Sequence, residues 1–135
     1  MKIGVLIPYC DTLNTYLPYV VKQFSIWDKV TAFKSNSRTQ EQHEARNAGL
    51  QMMQDCDYVW TVDADEFIET DHQKRIVNVM IGRQYDAIMC PVIDYRSKDT
   101  VVSPRREHKP VVMVNPRRVK FYDTRCIHAE TMGST

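Results

Sequence analysis

Three carboxylates fall within four residues at Asp63-Ala64-Asp65-Glu66, directly behind the apolar run Tyr58-Val59-Trp60-Thr61-Val62. The run reads as a buried strand, so the acids emerge at its carboxyl end, where open α/β sheets bind ligands. Two like charges about 4 Å apart repel by about 4 kcal/mol at an effective dielectric of about 20. A cation would offset that repulsion, and oxygen-only ligands suit Mg²⁺ or Mn²⁺. The chemistry this predicts is a metal site that holds a phosphorylated substrate. The competing reading is structural: Asp65 and Glu66 cap the next segment while Asp63 faces water. An EF-hand is excluded, because the further oxygen ligands and the glycine at fixed spacing are missing.

A second group of polar residues precedes that strand, at Arg46-Asn47-Ala48-Gly49-Leu50. Arg46 can pair bidentately with a carboxylate or phosphate, and Asn47 offers both a donor and an acceptor. Against this stands a solvated arginine on an exposed helix face. Gly49 within a helix costs about 1 kcal/mol relative to alanine unless close packing requires it. Two basic clusters, Arg105-Arg106 and Arg117-Arg118-Val119-Lys120, are local and suit either a phosphate or a solvated face.

The elements that position these groups follow from patterning. Lys2 to Ile7 is an apolar strand stopped by Pro8. Asn14 caps a helix through Phe24, with Leu17, Val20, Val21 and Phe24 on one face. Lys29 to Phe33 is a second strand, and Ser35-Asn36-Ser37 a polar turn. Gln40 to Gln54 is helical, with an imperfect apolar face of Ala45, Leu50, Met52 and Met53. Asp57 to Val62 is the third strand. Thr70 or Asp71 caps a helix through Ile81, with Ile76, Val77, Met80 and Ile81 inward and Gly82 as its stop. Asp86 to Val92 is a fourth strand, residues 93–109 are polar, and Val111 to Val114 is strand-like. Strands alternating with helices predict an α/β fold with a mainly parallel sheet covered on both faces. The helix-poor second half predicts an appended antiparallel piece or hairpin.

At 135 residues the chain is one domain, and 26% charged with 43% apolar residues is a globular mix. A net charge of +1 creates no field that demands nucleic acid or an anionic membrane. The four cysteines, Cys10, Cys56, Cys90 and Cys126, lie far apart with no Cys-x-x-Cys and read as reduced core residues. No apolar stretch is long enough for a membrane span, and Met1-Lys2 leads directly into a strand without a signal-peptide pattern, so the expected location is cytoplasmic.

In order and spacing these motifs resemble family 2 glycosyltransferases. Lys2-Ile3-Gly4-Val5-Leu6-Ile7-Pro8-Tyr9 is similar to their opening strand, and Ala45-Arg46-Asn47-Ala48-Gly49-Leu50 to their Ala-Arg-Asn-x-Gly helix. Asp57 through Phe67 is similar to the strand that leads into their metal-binding Asp-x-Asp. The form Asp63-Ala64-Asp65-Glu66-Phe67, with Lys109-Pro110-Val111-Val112 and Pro116 to His128 downstream, is closer to a related branch with an Asp-x-Asp-Glu-Phe core.

The resemblance implies a GT-A-like (Rossmann-like) fold in one domain over 1–135. Residues 1–92 would form the nucleotide- and metal-binding part, and 93–135 the acceptor side and closing segment. It implies transfer of a sugar, of hexosyl type and with inversion, from a nucleoside-diphosphate sugar to an acceptor hydroxyl. By the same resemblance Asp63, Asp65 and His128 would hold Mn²⁺ or Mg²⁺. Pro8, Tyr9, Asp11, Arg46, Asp63, Ala64 and Lys109 would bind the donor, with Arg105 and Arg106 as further partners for the diphosphate.

Three departures stand out. Lys34-Ser35-Asn36-Ser37 replaces the family's acidic segment after the second strand, which leaves the nucleobase contact unassigned. The usual Glu-Asp pair is missing, so Asp94 and Glu107 are the candidate bases. The chain is also shorter than typical members, so part of the acceptor site would be absent or supplied by a partner, a second copy in a homo-oligomer being one source. Two other readings remain open: a nucleotidyl- or phosphoryltransferase, and a non-catalytic remnant that binds nucleotide or a partner protein.

Overall fold

The computed structural model describes residues 1–9, 15–34, 42–90 and 111–121. The opening apolar run forms β1 (Ile3–Tyr9), followed by α1 (Leu17–Phe24), β2 (Lys29–Lys34), α2 (Gln42–Met52), β3 (Tyr58–Thr61), α3 (Thr70–Arg83), β4 (Ala87–Met89) and β5 (Val111–Val114). The five strands make one mixed sheet in the order β2-β1-β3-β5-β4. Strand β1 lies parallel to both β2 and β3, with Val5 opposite Val30 and Trp60. Strand β5 is antiparallel to both β3 and β4, so β4 again runs with the first three. The antiparallel element is therefore inserted between two parallel strands rather than appended at an edge.

Side chains alternate across the sheet and divide the core in two. On one face Ile3, Val5, Ile7, Trp60 and Val62 pack against Val20 and Phe24 of α1 and Ile76, Val77 and Met80 of α3. On the other, Leu6, Val59 and Val114 pack against Leu50 and Met53 of the α2 region, with Val119 and Phe121. Two glycines let the second face close. A Cβ on Gly49 would come within 3.0 Å of a Leu6 methyl, and one on Gly4 within 2.9 Å of the sulfur atoms of Cys56 and Met53. Close packing thus accounts for the helical glycine of α2.

Several boundaries differ from expectation. Pro8 does not end β1, which continues through Pro8 opposite Phe33 and Tyr9 opposite Lys34. Pairing with β3 ends at Leu6, whose carbonyl accepts from Val62 N–H at 3.2 Å. The N–H that Pro8 lacks would face that same vacated side, so no ladder bond is lost. Helix α1 starts at Leu17 with Pro18 in its first turn, and Asn14 lies outside the described residues. Helix α2 ends at Met52, which is exposed, while Met53 beyond it is buried. Strand β4 stops at Met89; Pro91 and Val92 lie outside the described residues.

Helix α3 also departs from its pattern. Its N-cap is Glu69 and not Thr70 or Asp71, without a side-chain capping bond, and its last turn is closed by Gln84 in the left-handed region (φ 51°, ψ 42°). Gln84 N–H donates to Ile81 and Tyr85 N–H to Met80, so Gly82 is an ordinary helical residue and not the stop. Ile81 is exposed, and the buried position on that helix belongs to the polar Gln73. No helix among the described residues is long and apolar enough to cross a membrane.

Candidate active site

At the end of β3, Val62 keeps one more bond to β1 and is buried, which leaves Asp63 as the first residue to emerge at the carboxyl end of the sheet. The turn that follows is braced reciprocally. Asp63 N–H donates to the Glu66 carboxylate (Oε1) at 2.7 Å, and Glu66 N–H donates to the Asp63 carbonyl at 3.1 Å. Glu66 is therefore turned back onto its own loop instead of forward with the other acids. Its burial, and secondarily the Asp63 charge, pushes its carboxyl up to about 7. Partial desolvation of its carboxyl, and then the Asp63 charge, raise Asp65 as well, although the residue as a whole lies at the surface. Ala64 between them is buried and anchors the turn to the core.

Arg46 enters from α2 and donates from Nη2 to Asp63 Oδ1 at 2.8 Å. Its side chain is 19% exposed and that of Asp63 49%, so the pair sits at the rim with the carboxylate outward. The guanidinium carbon lies 5.7 Å from the centroid of the Phe121 ring, within cation–π range. Phe121 is held by the next residue of the helix: Asn47 Nδ2 donates to its carbonyl at 2.6 Å, and its N–H donates to Asn47 Oδ1 at 2.8 Å. Two residues beyond the helix end, Gln54 donates to the Pro116 carbonyl at 2.8 Å. Two amides seven residues apart, Asn47 on α2 and Gln54 just beyond it, thus bind the backbone of the segment 115–121.

Behind the acids, Gln73 is fully buried and ties three elements together. It accepts from Trp27 Nε1 at 2.7 Å and donates to the Ile68 carbonyl at 2.7 Å. Ile68 N–H in turn donates to the Gln23 side chain at 2.8 Å. The loop that carries Asp63 and Asp65 is therefore fixed at its far end from both α1 and α3. No periodicity marks Gln73, because a polar residue at a core position of a helix looks like a break in the pattern.

Of the expected donor residues, the structure brings Arg46 and Asp63 into contact, with Ala64 and Asp65 in the adjoining turn and Pro8 and Tyr9 at the same end of the sheet. Asp11, Asp94, Arg105, Arg106, Glu107, Lys109 and His128 lie outside the described residues. Arg117 and Arg118 of the second basic cluster do not belong to the site. Arg117 reaches Asp57 at 3.7 Å and Arg118 reaches Asp86 at 2.8 Å, both at the opposite, amino end of the sheet.

Among the described residues no group of three or more His, Cys, Asp or Glu side chains could hold a metal ion. The two outward carboxylates supply hard oxygen donors and more negative charge than Arg46 offsets. That donor set fits part of a divalent cation's shell, the rest of which would come from a diphosphate, water or other side chains.

A sheet whose third strand delivers acids to its carboxyl end, with one antiparallel strand inserted and helices on both faces, defines a GT-A-like α/β domain. The glycosyl transferase family 2 pattern matches residues 14–133, and the chain belongs to that family. The fold is also similar to the crystal structure of A197 from STIV, at 17% identity and a TM-score of 0.54 over 85% of this chain. The chain spans about 65% of the length of that structure. No match is found among curated proteins.

Proposed function

We propose that the chain is a glycosyltransferase that uses the rim formed by Arg46, Asp63 and Asp65 to bind the diphosphate of a nucleoside-diphosphate sugar together with Mn²⁺ or Mg²⁺. The observation that carries this reading is the Arg46–Asp63 contact at the carboxyl end of β3, beside an Asp65 whose carboxyl is driven up by burial and the Asp63 charge. Such a cluster has both a guanidinium for phosphate oxygens and carboxylates in want of a cation. Family membership supports the reaction class.

In the reaction, the bond from the anomeric carbon to the diphosphate oxygen breaks and a bond to the acceptor hydroxyl oxygen forms. The acceptor proton passes to a base, for which Asp94 and Glu107 are the candidates, and the nucleoside diphosphate departs. A bound divalent cation would supply electrostatic stabilisation of the departing diphosphate. Arg46 contributes in the same sense from the protein side, and the Glu66 brace keeps Asp63 and Asp65 at fixed separation. His128 is proposed as a further metal ligand, Lys109 as a diphosphate partner, and Pro8, Tyr9 and Asp11 as the nucleoside wall. By resemblance the transfer is of hexosyl type and inverting.

The test is thermal stability with UDP, GDP, CDP or dTDP, each with Mn²⁺ or with EDTA. A nucleotide at a hundred times its dissociation constant stabilises the native state by about 2.7 kcal/mol. The expected result is a metal-dependent rise for one base, lost in Asp63→Asn and Asp65→Asn. No rise with any of the four, or a rise indifferent to both substitutions, sinks the donor-site reading.

A further inference from the structure

We propose that Phe121 is a positioning residue of the donor site, which holds the Arg46 guanidinium in the orientation that serves a diphosphate. The proposal rests on the reading of the rim as a donor site. Arginine carries five N–H donors in a rigid fork, and the contact with Asp63 Oδ1 is made by Nη2. One hydrogen bond fixes a distance but not a plane, so the long Arg46 side chain needs a second restraint to fix the plane of its guanidinium. The face of the Phe121 ring supplies it, 5.7 Å from the guanidinium carbon.

The restraint is itself fixed. Phe121 is 4% exposed and packs into the core cluster of α2 and the sheet, so its ring cannot swing away. Its backbone is held in both directions by Asn47, the neighbour of Arg46 on α2. The same short stretch of helix therefore carries the cation and the amide that sets its aromatic floor. A leucine at position 121 would fill much of the same volume and keep the Asn47 bonds, but it has no π face. Tyrosine would keep the face.

The experiment compares Phe121→Leu, Phe121→Tyr and Asn47→Ala with the unaltered chain, using two readouts. The first needs no ligand: the Arg46 Nε–H resonance, assigned by its loss in Arg46→Lys, is displaced by the ring current. The displacement should collapse in Phe121→Leu, persist in Phe121→Tyr and shrink in Asn47→Ala. The second is affinity for the nucleoside diphosphate with Mn²⁺, which should weaken by about fivefold in Phe121→Leu and recover in Phe121→Tyr.

An undisplaced Arg46 resonance, or Phe121→Leu with unchanged resonance and affinity, overturns the proposal. Should the unaltered chain bind none of the four nucleotides, the donor-site reading fails by itself, and the proposed role of Phe121 in diphosphate binding fails with it. The resonance still reports separately whether the ring holds Arg46. Should Phe121→Leu fail to fold, Asn47→Ala decides, because it frees the Phe121 backbone while leaving the core filled.

Discussion

Replacing Gln73 by methionine should destabilise the protein by about 2 kcal/mol, although the change makes a fully buried position more apolar. Gln73 accepts from the Trp27 indole and donates to the Ile68 carbonyl, both at 2.7 Å. Methionine matches glutamine in length and leaves no cavity, so the loss comes from the two stranded partners. A buried donor or acceptor without a partner costs about 1–3 kcal/mol. Trp27 and Ile68 are only partly buried, which places each near the middle of that range and not at its top. Relief from burying the amide offsets part of the sum. For a domain of this size about 2 kcal/mol lowers Tm by roughly 8 °C.

The assay is urea denaturation of the unaltered chain, Gln73→Met, Trp27→Phe and the double variant. Phenylalanine removes the indole donor, so with methionine already present it should cost less than it does alone. The expected coupling exceeds about 0.5 kcal/mol. Additive losses, or a Gln73→Met protein as stable as the original, would refute the idea that this amide holds the loop behind Asp63 and Asp65.

The three remaining predictions concern protonation and glycine. In EDTA, below the ordinary glutamate value of 4.5 both folded and unfolded chains carry the Glu66 proton, and burial imposes no ionic penalty. As pH rises from 4.5 to about 7 the unfolded chain ionises first, so stability falls through that window by at most about 3 kcal/mol. Glu66→Gln keeps the acceptor for Asp63 N–H and should match the parent near pH 4 but exceed it at pH 8; a pH-independent difference in Tm would contradict this. Gly82 has nothing within 4 Å of an added Cβ and no left-handed φ, so Gly82→Ala should stabilise by about 1 kcal/mol. Gly4→Ala, whose Cβ would press on two sulfur atoms at 2.9 Å, should instead destabilise by about 1–3 kcal/mol, as denaturant midpoints would show.

What could be seen in the sequence was what local rules govern. The run from Tyr58 to Val62 announced a buried strand, and three acids behind it announced the carboxyl end of a sheet. Gly49 signalled close packing, which Leu6 now explains. What was hidden depends on partners distant along the chain. Gln73 and Trp27 are 46 residues apart and Asn47 and Phe121 are 74 apart, separations at which no periodicity operates. Arg117 and Arg118 looked available for phosphate because the acids they meet, Asp57 and Asp86, reach them only through the sheet order. The end of α3 was misplaced for a simpler reason: glycine is the usual left-handed stop, yet Gln84 takes that conformation while Gly82 stays helical.

The inserted strand explains how the rim comes to have its aromatic floor. Because β5 runs against β3, Val111 lies beside Thr61 near the carboxyl end, where the Thr61 hydroxyl donates to the Val111 carbonyl at 3.1 Å. The strand then ends at the amino end, where Asn115 N–H bonds the Asp86 carbonyl at 2.8 Å. To return, the chain has to climb alongside α2 on its sheet-facing side, where Val119 and Phe121 join Leu50 and Met53 in the core. An apolar helix face alone would let such a segment slide. The amides of Gln54 and Asn47 set its register instead, with the first holding Pro116 and the second Phe121. Asn47 within α2 and Gln54 just past its end are therefore the polar positions that deliver Phe121 to Arg46. A parallel fifth strand would end at the carboxyl end and need no such return, and Arg46 would meet Asp63 without a ring to hold it.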